Sequence, residues 1–240
     1  MFRTDHRDEI QTTERMPPAH QALRISLGLL VLLSLAGYFT LSLPWLPTLV
    51  FAVVAVIVFQ GATFRYPYHD FGLCNAVTLA RAAIVAFLVG ALFDPSFSVW
   101  LFFGLATVAF ALDGVDGRLA RRSGLVSGFG GRFDMETDAA LAAVLALWIL
   151  VQGTAGPDIL VLGFARYAFV AMSVPFSALR AELPEAFRRK AVCAVQIATL
   201  IALVLPVTPL PAAPYLSILA AVLVVWSFAI DILWLLRRET

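Results

Sequence analysis

Four aspartates stand in one polar stretch of an otherwise apolar chain, DGVDGRLARRSGLVSGFGGRFDMETD, residues 113–138. Asp113 and Asp116 are three residues apart and Asp134 and Asp138 four apart, so each pair shares one face of a helix. The connector 122–131 holds Ser123, Gly124, Ser127, Gly128, Gly130 and Gly131, a composition suited to a helical hairpin. Folding that hairpin brings four carboxylates together. Bare carboxylates repel, and a hard divalent cation removes the conflict. Oxygen-only ligands favour Mg²⁺, Mn²⁺ or Ca²⁺ over zinc. Mg²⁺ usually binds substrate phosphates as well, which suggests a diphosphate ligand. Gly117 and Ala120 continue the Asp113–Asp116 face and let a helix or a ligand approach the backbone. The bland alternative is a polar hairpin at a membrane surface, and the cost of carboxylates at membrane depth counts against it.

The elements that must carry these residues are written in the composition. The 240 residues are 61% hydrophobic and 14% charged, with a mean hydropathy of +0.89. A soluble domain is nearer half apolar and about a quarter charged. The excess lies in long runs, which makes an all-α integral membrane protein the expected class. Eight spans are predicted, near 22–43, 46–63, 75–93, 97–119, 133–152, 157–177, 190–208 and 213–236. They are separated by Pro44 and Pro47, Asp94-Pro95, Gly153 to Pro157 and the prolines at 206–214.

An even number of spans puts both termini on one side. Arg65, Arg121, Arg122, Arg188, Arg189, Lys190, Arg237 and Arg238 then fall on that same side, which the positive-inside rule assigns to the cytosol. Residues 1–21 read as a polar cytosolic tail, and 178–190 as a helix at the cytosolic interface. Trp45, Trp100, Trp148, Trp226 and Trp234 fit aromatic belts. Cys74 and Cys193 lack ligand spacing and read as packing residues; His6, His20 and His69 read as solvated. A net charge of +1 with no separate basic domain argues against nucleic acid as a partner.

The segment resembles the signature of the class I CDP-alcohol phosphotransferase (CDP-alcohol phosphatidyltransferase) family, D-x2-D-G-x2-A-R-x8-G-x3-D-x3-D. Asp113, Asp116, Gly117, Ala120, Arg121, Gly130, Asp134 and Asp138 occupy every fixed position with the correct gaps. A chance match at a given start is on the order of one in a billion, at roughly one in fifteen per fixed residue. Asn75, Thr78 and Arg81 also resemble the family's N-x-x-T-x-x-R segment. The resemblance implies a six-helix core over spans three to eight, within residues 64–240. Spans one and two, residues 22–63, would be an addition to it.

By the same resemblance, the donor is a CDP-linked lipid, CDP-diacylglycerol first among them, and the acceptor a small polar alcohol at the surface of a bilayer. Asp113, Asp116 and Asp134 would hold two divalent ions, Mg²⁺ or Mn²⁺, with Asp138 contributing to the second. Asp138 would also be the general base. Gly117, Ala120 and Gly130 would make room for the nucleotide. Arg121, Asn75, Thr78 and Arg81 would contact it or its phosphates. The resemblance also allows a homodimer and a place in a bacterial inner membrane with the site facing the cytosol.

The signature binds the donor half, so it is silent on the alcohol. Glycerol 3-phosphate is favoured because Arg166, inside the sixth span, suits an anionic acceptor; pairing with an acid is the equal alternative for that residue. Glu136 falls away from Asp134 and Asp138 and reads as a surface or arginine-paired residue. The sequence assigns Asp231, within the last span, no role. A cation- or proton-coupled transporter is the competing function, although no inverted repeat supports it. A non-catalytic scaffold is a third, against which the intact aspartates argue.

Overall fold

The computed structural model describes residues 16–181, 186–205 and 213–237. The remainder of the expected polar tail, His6, most of the 206–214 proline cluster and Arg238 lie outside these residues.

Among the described residues, eight α-helices run in chain order: α1 Pro18–Thr40, α2 Trp45–Phe64, α3 Gly72–Ala91, α4 Val99–Ser123, α5 Gly128–Val151, α6 Ile159–Ser173, α7 Phe187–Val204 and α8 Ala213–Leu236. No strand occurs among the described residues. Five helices, α1, α2, α3, α4 and α8, are long and apolar enough to cross a membrane. α5 carries charged residues in its second and third turns and α7 in its first, and α6 has only 15 residues. At about 1.5 Å per residue, α6 alone falls short of a bilayer core.

The boundaries follow local chemistry. Pro17 and Pro18 open α1, where the missing N–H costs nothing. Ser98 caps α4 by accepting from the Leu101 N–H, and Gly124 ends that helix in the left-handed region at φ 70°. Ser127 then caps α5, its Oγ accepting from the Gly130 N–H at 3.0 Å. The hairpin turn is therefore only 124–127, shorter than the expected 122–131 connector, because both caps work at its edges.

Three expectations are corrected. α6 stops at Ser173 instead of near 177, since Pro175 cannot supply a helical N–H and constrains Val174. The 178–190 stretch is not one interfacial helix: Ser177–Arg180 form a 3₁₀ turn, and α7 begins at Phe187. Trp148 is not a belt residue. It is buried on α5 and stacked against Phe102 of α4, ring centroids 3.9 Å apart. Trp45 and Trp100, at helix starts, are exposed as a belt requires.

α3 is the inner helix of the site half. It packs against α1, α2, α4 and α5. α5 meets α6 through small residues: a Cβ on Gly163 would stand 2.5 Å from the Ala146 Cβ. In lipid, where helices gain little from apolar burial, such close backbone approach is a main source of packing energy. Asp94 ties the loops at the end of the bundle remote from the signature hairpin. Its carboxylate accepts from the Ser42 N–H at 2.9 Å and from the Ser96 hydroxyl at 2.6 Å.

Candidate active site

α4 and α5 position the aspartates as their spacing requires. Asp113 and Asp116 lie on the last turns of α4, and Asp134 and Asp138 on the second and third turns of α5. The tight turn sets the helices side by side, and the two pairs face one another across α3.

The centre of the cluster is Arg81 of α3, only 1% exposed. Its Nη1 lies 2.7 Å from Asp116 Oδ2 and 3.3 Å from Asp113 Oδ1, and also contacts Asp134 Oδ1. Its Nη2 pairs with Asp138 Oδ1, and its Nε donates to the Ala109 carbonyl at 3.1 Å. Nη1 has two hydrogens and three carboxylates around it, so charge, more than directed bonding, holds it there. Thr78, one turn earlier, donates to Asp116 Oδ2 at 3.0 Å.

The cluster is graded in depth. Asp116 is 4% exposed and Asp138 15%, whereas Asp113 and Asp134 are each 37% exposed. The site is therefore sealed against α3 and open on the Asp113–Asp134 side. One oxygen of each of Asp113, Asp116 and Asp134 lies within 4.8 Å of the others. Octahedral Mg²⁺, at about 2.1 Å per ligand, spaces opposite oxygens about 4.2 Å apart, so a small inward shift closes the set. Asp116 Oδ1 is buried without a hydrogen-bond partner, a lone acceptor suited to a cation. The three carboxylates could thus hold a divalent ion.

The other expected residues divide. Asn75 is buried beside the start of α5, and a Cβ on Gly130 would stand 3.1 Å from its Oδ1. Gly117 lies beneath the Arg121 side chain, whose Nη1 is 3.4 Å from where its Cβ would be. Ala120 is half-buried one turn beyond Asp116. Arg166 stands apart from the aspartates, its Nη2 on Glu136 Oε1 at 2.6 Å.

Two features escaped the sequence reading. Cys193 of α7 faces the cluster, its Sγ 3.9 Å from Asp138 Oδ2. Nothing in its spacing could have signalled this, because the contact spans 55 residues and three helices. Asp231 acquires a role: it accepts from Arg188 Nη2 at 2.5 Å and Arg189 Nη1 at 3.3 Å, joining α8 to α7.

A bundle of apolar helices enclosing a carboxylate cluster at one end defines an integral membrane protein with a cation-ready polar site. The profile of the CDP-alcohol phosphatidyltransferase family matches residues 71–232, and the chain belongs to that family. The match begins with α3, takes in the whole aspartate hairpin and ends within α8. No curated protein and no solved structure matches the chain.

Proposed function

We propose that the protein transfers a phosphatidyl-type group from a CDP-linked lipid, CDP-diacylglycerol in the first instance, to the hydroxyl of a small alcohol, releasing CMP. The observation that carries this reading is the convergence of Asp113, Asp116, Asp134 and Asp138 on one partly open site within the family's signature.

Asp113, Asp116 and Asp134, with Asp138 on a second position, are the residues that would hold two divalent ions, Mg²⁺ or Mn²⁺. When bound, these would offset the charge of the diphosphate and of the departing CMP. Asp138 is the assigned general base. It takes the proton of the acceptor hydroxyl as that oxygen forms a bond to the lipid-side phosphorus, and the phosphorus–oxygen bond to CMP breaks. Arg81 and Thr78 hold the carboxylates in place through the contacts above. Asn75, Gly117, Ala120, Arg121 and Gly130 are assigned to the nucleotide and its phosphates. The catalytic core is residues 64–240, preceded by α1 and α2 as an addition.

A phosphorylated acceptor of the glycerol 3-phosphate kind is favoured. Supporting it, Arg166 has one nitrogen on Glu136 while its Nε is buried with no hydrogen-bond partner. The termini and the site are assigned to the cytosolic face, supported by Arg118, Arg121 and Arg122 around the hairpin and Arg188, Arg189 and Lys190 at the start of α7.

The test is CMP release by purified protein from CDP-diacylglycerol with Mn²⁺ or Mg²⁺ and a panel of acceptors, the lipid products identified by mass. Glycerol 3-phosphate is expected to give the highest turnover. No CMP with any acceptor would sink the donor assignment. Asp138→Asn is expected to abolish turnover while metal binding weakens less, and near wild-type turnover would remove Asp138 as the base.

A further inference from the structure

α1 and α2 lie outside the matched region, yet they and the link that follows them reach the nucleotide side of the site. Gln21 of α1 accepts from the Phe71 N–H through Oε1 at 3.1 Å and donates to the Met16 carbonyl at 2.8 Å. Phe71, so fixed, offers its carbonyl to the Asn75 amide at 2.6 Å. That carbonyl can only accept, so the Asn75 nitrogen must face it and Oδ1 must face the other way. The same Nδ2 donates its second hydrogen to the Tyr66 hydroxyl at 3.0 Å. Both amide hydrogens are spent, and Oδ1 is presented beside Gly130.

The hairpin turn is held from the same link. Tyr68 donates its hydroxyl to the Val126 carbonyl at 2.8 Å. Gly72 has φ 77°, and Leu125 packs so closely on it that a Cβ would meet its Cδ1 at 2.3 Å. The Phe129 ring rests on Gly61 of α2, where a Cβ would stand 2.1 Å from its Cε2, and meets Tyr66 edge to face at 5.8 Å. Residues 126 and 129 are thus gripped by the link and by α2, and residue 125 by the first residue of α3.

We propose that Tyr66 and Tyr68 are positioning residues: Tyr66 sets the Asn75 amide and Tyr68 sets the 124–129 segment, while Gln21 of α1 and Gly61 of α2 brace the same link and segment, which makes the α1–α2 addition a working part of the nucleotide side. The proposal rests on the assignment of Asn75 and Gly130 to the nucleotide. Burial pushes the Tyr66 hydroxyl up to about 12, so it keeps its one hydrogen, shared between the Asp70 and Phe71 carbonyls, through the physiological range.

The experiment uses the full chain in detergent with Tyr66→Phe, Tyr68→Phe and Asn75→Ala. Each phenylalanine keeps the ring and removes one hydroxyl. Tyr66→Phe is expected to raise KM for CDP-diacylglycerol about fivefold with kcat little changed, as loss of one buried hydrogen bond predicts. In the Asn75→Ala background the same change is expected to add nothing, because its target is gone. Tyr68→Phe is expected to speed amide hydrogen exchange over 124–129 without substrate present. A lowered Tm with unchanged KM would overturn the role of Tyr66, as would an equal KM effect with and without Asn75. Unaltered exchange in Tyr68→Phe would overturn the role of Tyr68. Should the wild type fail to turn over CDP-diacylglycerol, the donor assignment fails; substrate-free exchange over 72–78 in Tyr66→Phe and over 124–129 in Tyr68→Phe then decides the brace by itself.

Discussion

Two regions of this bundle set arginine against aspartate, with opposite balances of charge. At the α3–α4–α5 junction, one guanidinium, that of Arg81, is shared by Asp113, Asp116, Asp134 and Asp138. Between α7 and α8, two guanidinium groups share the single carboxylate of Asp231, and Arg188 adds a bond to the Ser227 carbonyl at 2.6 Å and stacks on Trp226 at 5.7 Å. The first region keeps unmatched negative charge on its open side. The second has its carboxylate covered by cations. Buried ion pairs are weak evidence of either stability or function by themselves. Their stoichiometry is more informative: an excess of carboxylates at an opening is a place for a cation, and a lone buried carboxylate covered by guanidinium groups is a latch.

The largest expected effect separates the two. Asp113→Ala should lower metal-dependent CMP release by at least about a hundredfold, the scale of losing one group that stabilises transition-state charge. Asp231→Asn should leave that rate near wild type and lower Tm instead. A comparable loss of rate in both variants would break the distinction.

Next, Arg81→Ala should leave four carboxylates with no counter-charge. Its Tm is expected to fall steeply in EDTA and to recover with millimolar Mn²⁺, by more than the wild-type Tm responds, since a cation that binds only the folded state stabilises it. Equal responses in the two proteins would show that Arg81 is not what balances the charge of these carboxylates.

A smaller effect probes the latch. A double-mutant cycle of Arg188→Ala and Asp231→Ala should give a coupling of about 1–3 kcal/mol in thermal or denaturant unfolding. A coupling near zero would mean the pair is incidental.

The smallest concerns Asp94, a carboxylate held by neutral donors. Hydrogen bonds from Ser96 and Ser42 hold its carboxyl down at about 2, below the ordinary 3.8. A lowered pKa contributes stability that is complete above the unfolded value and lost as pH falls through the folded one. Wild-type Tm should therefore drop between about pH 4 and pH 2 by a little more than that of Asp94→Asn. Parallel curves would remove Asp94 from the account.

Local pattern made much of the molecule legible beforehand. Apolar runs and prolines located all eight helices to within a few residues, because helix formation in lipid depends on each segment's own backbone and length. The i,i+3 and i,i+4 aspartates implied two facing helices for the same reason. What went unread was set by contacts across the chain. Trp148 looks like any span-end tryptophan until α4 brings Phe102 onto its face. Cys193 has no neighbour in sequence that marks it.

The sequence by itself determined the family, the all-helical membrane architecture and the identity of the four aspartates, since these rest on composition, periodicity and short fixed spacings. Only the tertiary structure decided that Arg81 is the hub of those aspartates, that Arg166 turns to Glu136, that Asp231 belongs to a latch and that the α1–α2 addition reaches Asn75 through Gln21 and Phe71. The physical reason is common to all of these. A guanidinium or a hydroxyl can satisfy several partners equally well, and only packing of distant helices selects the one within 3 Å.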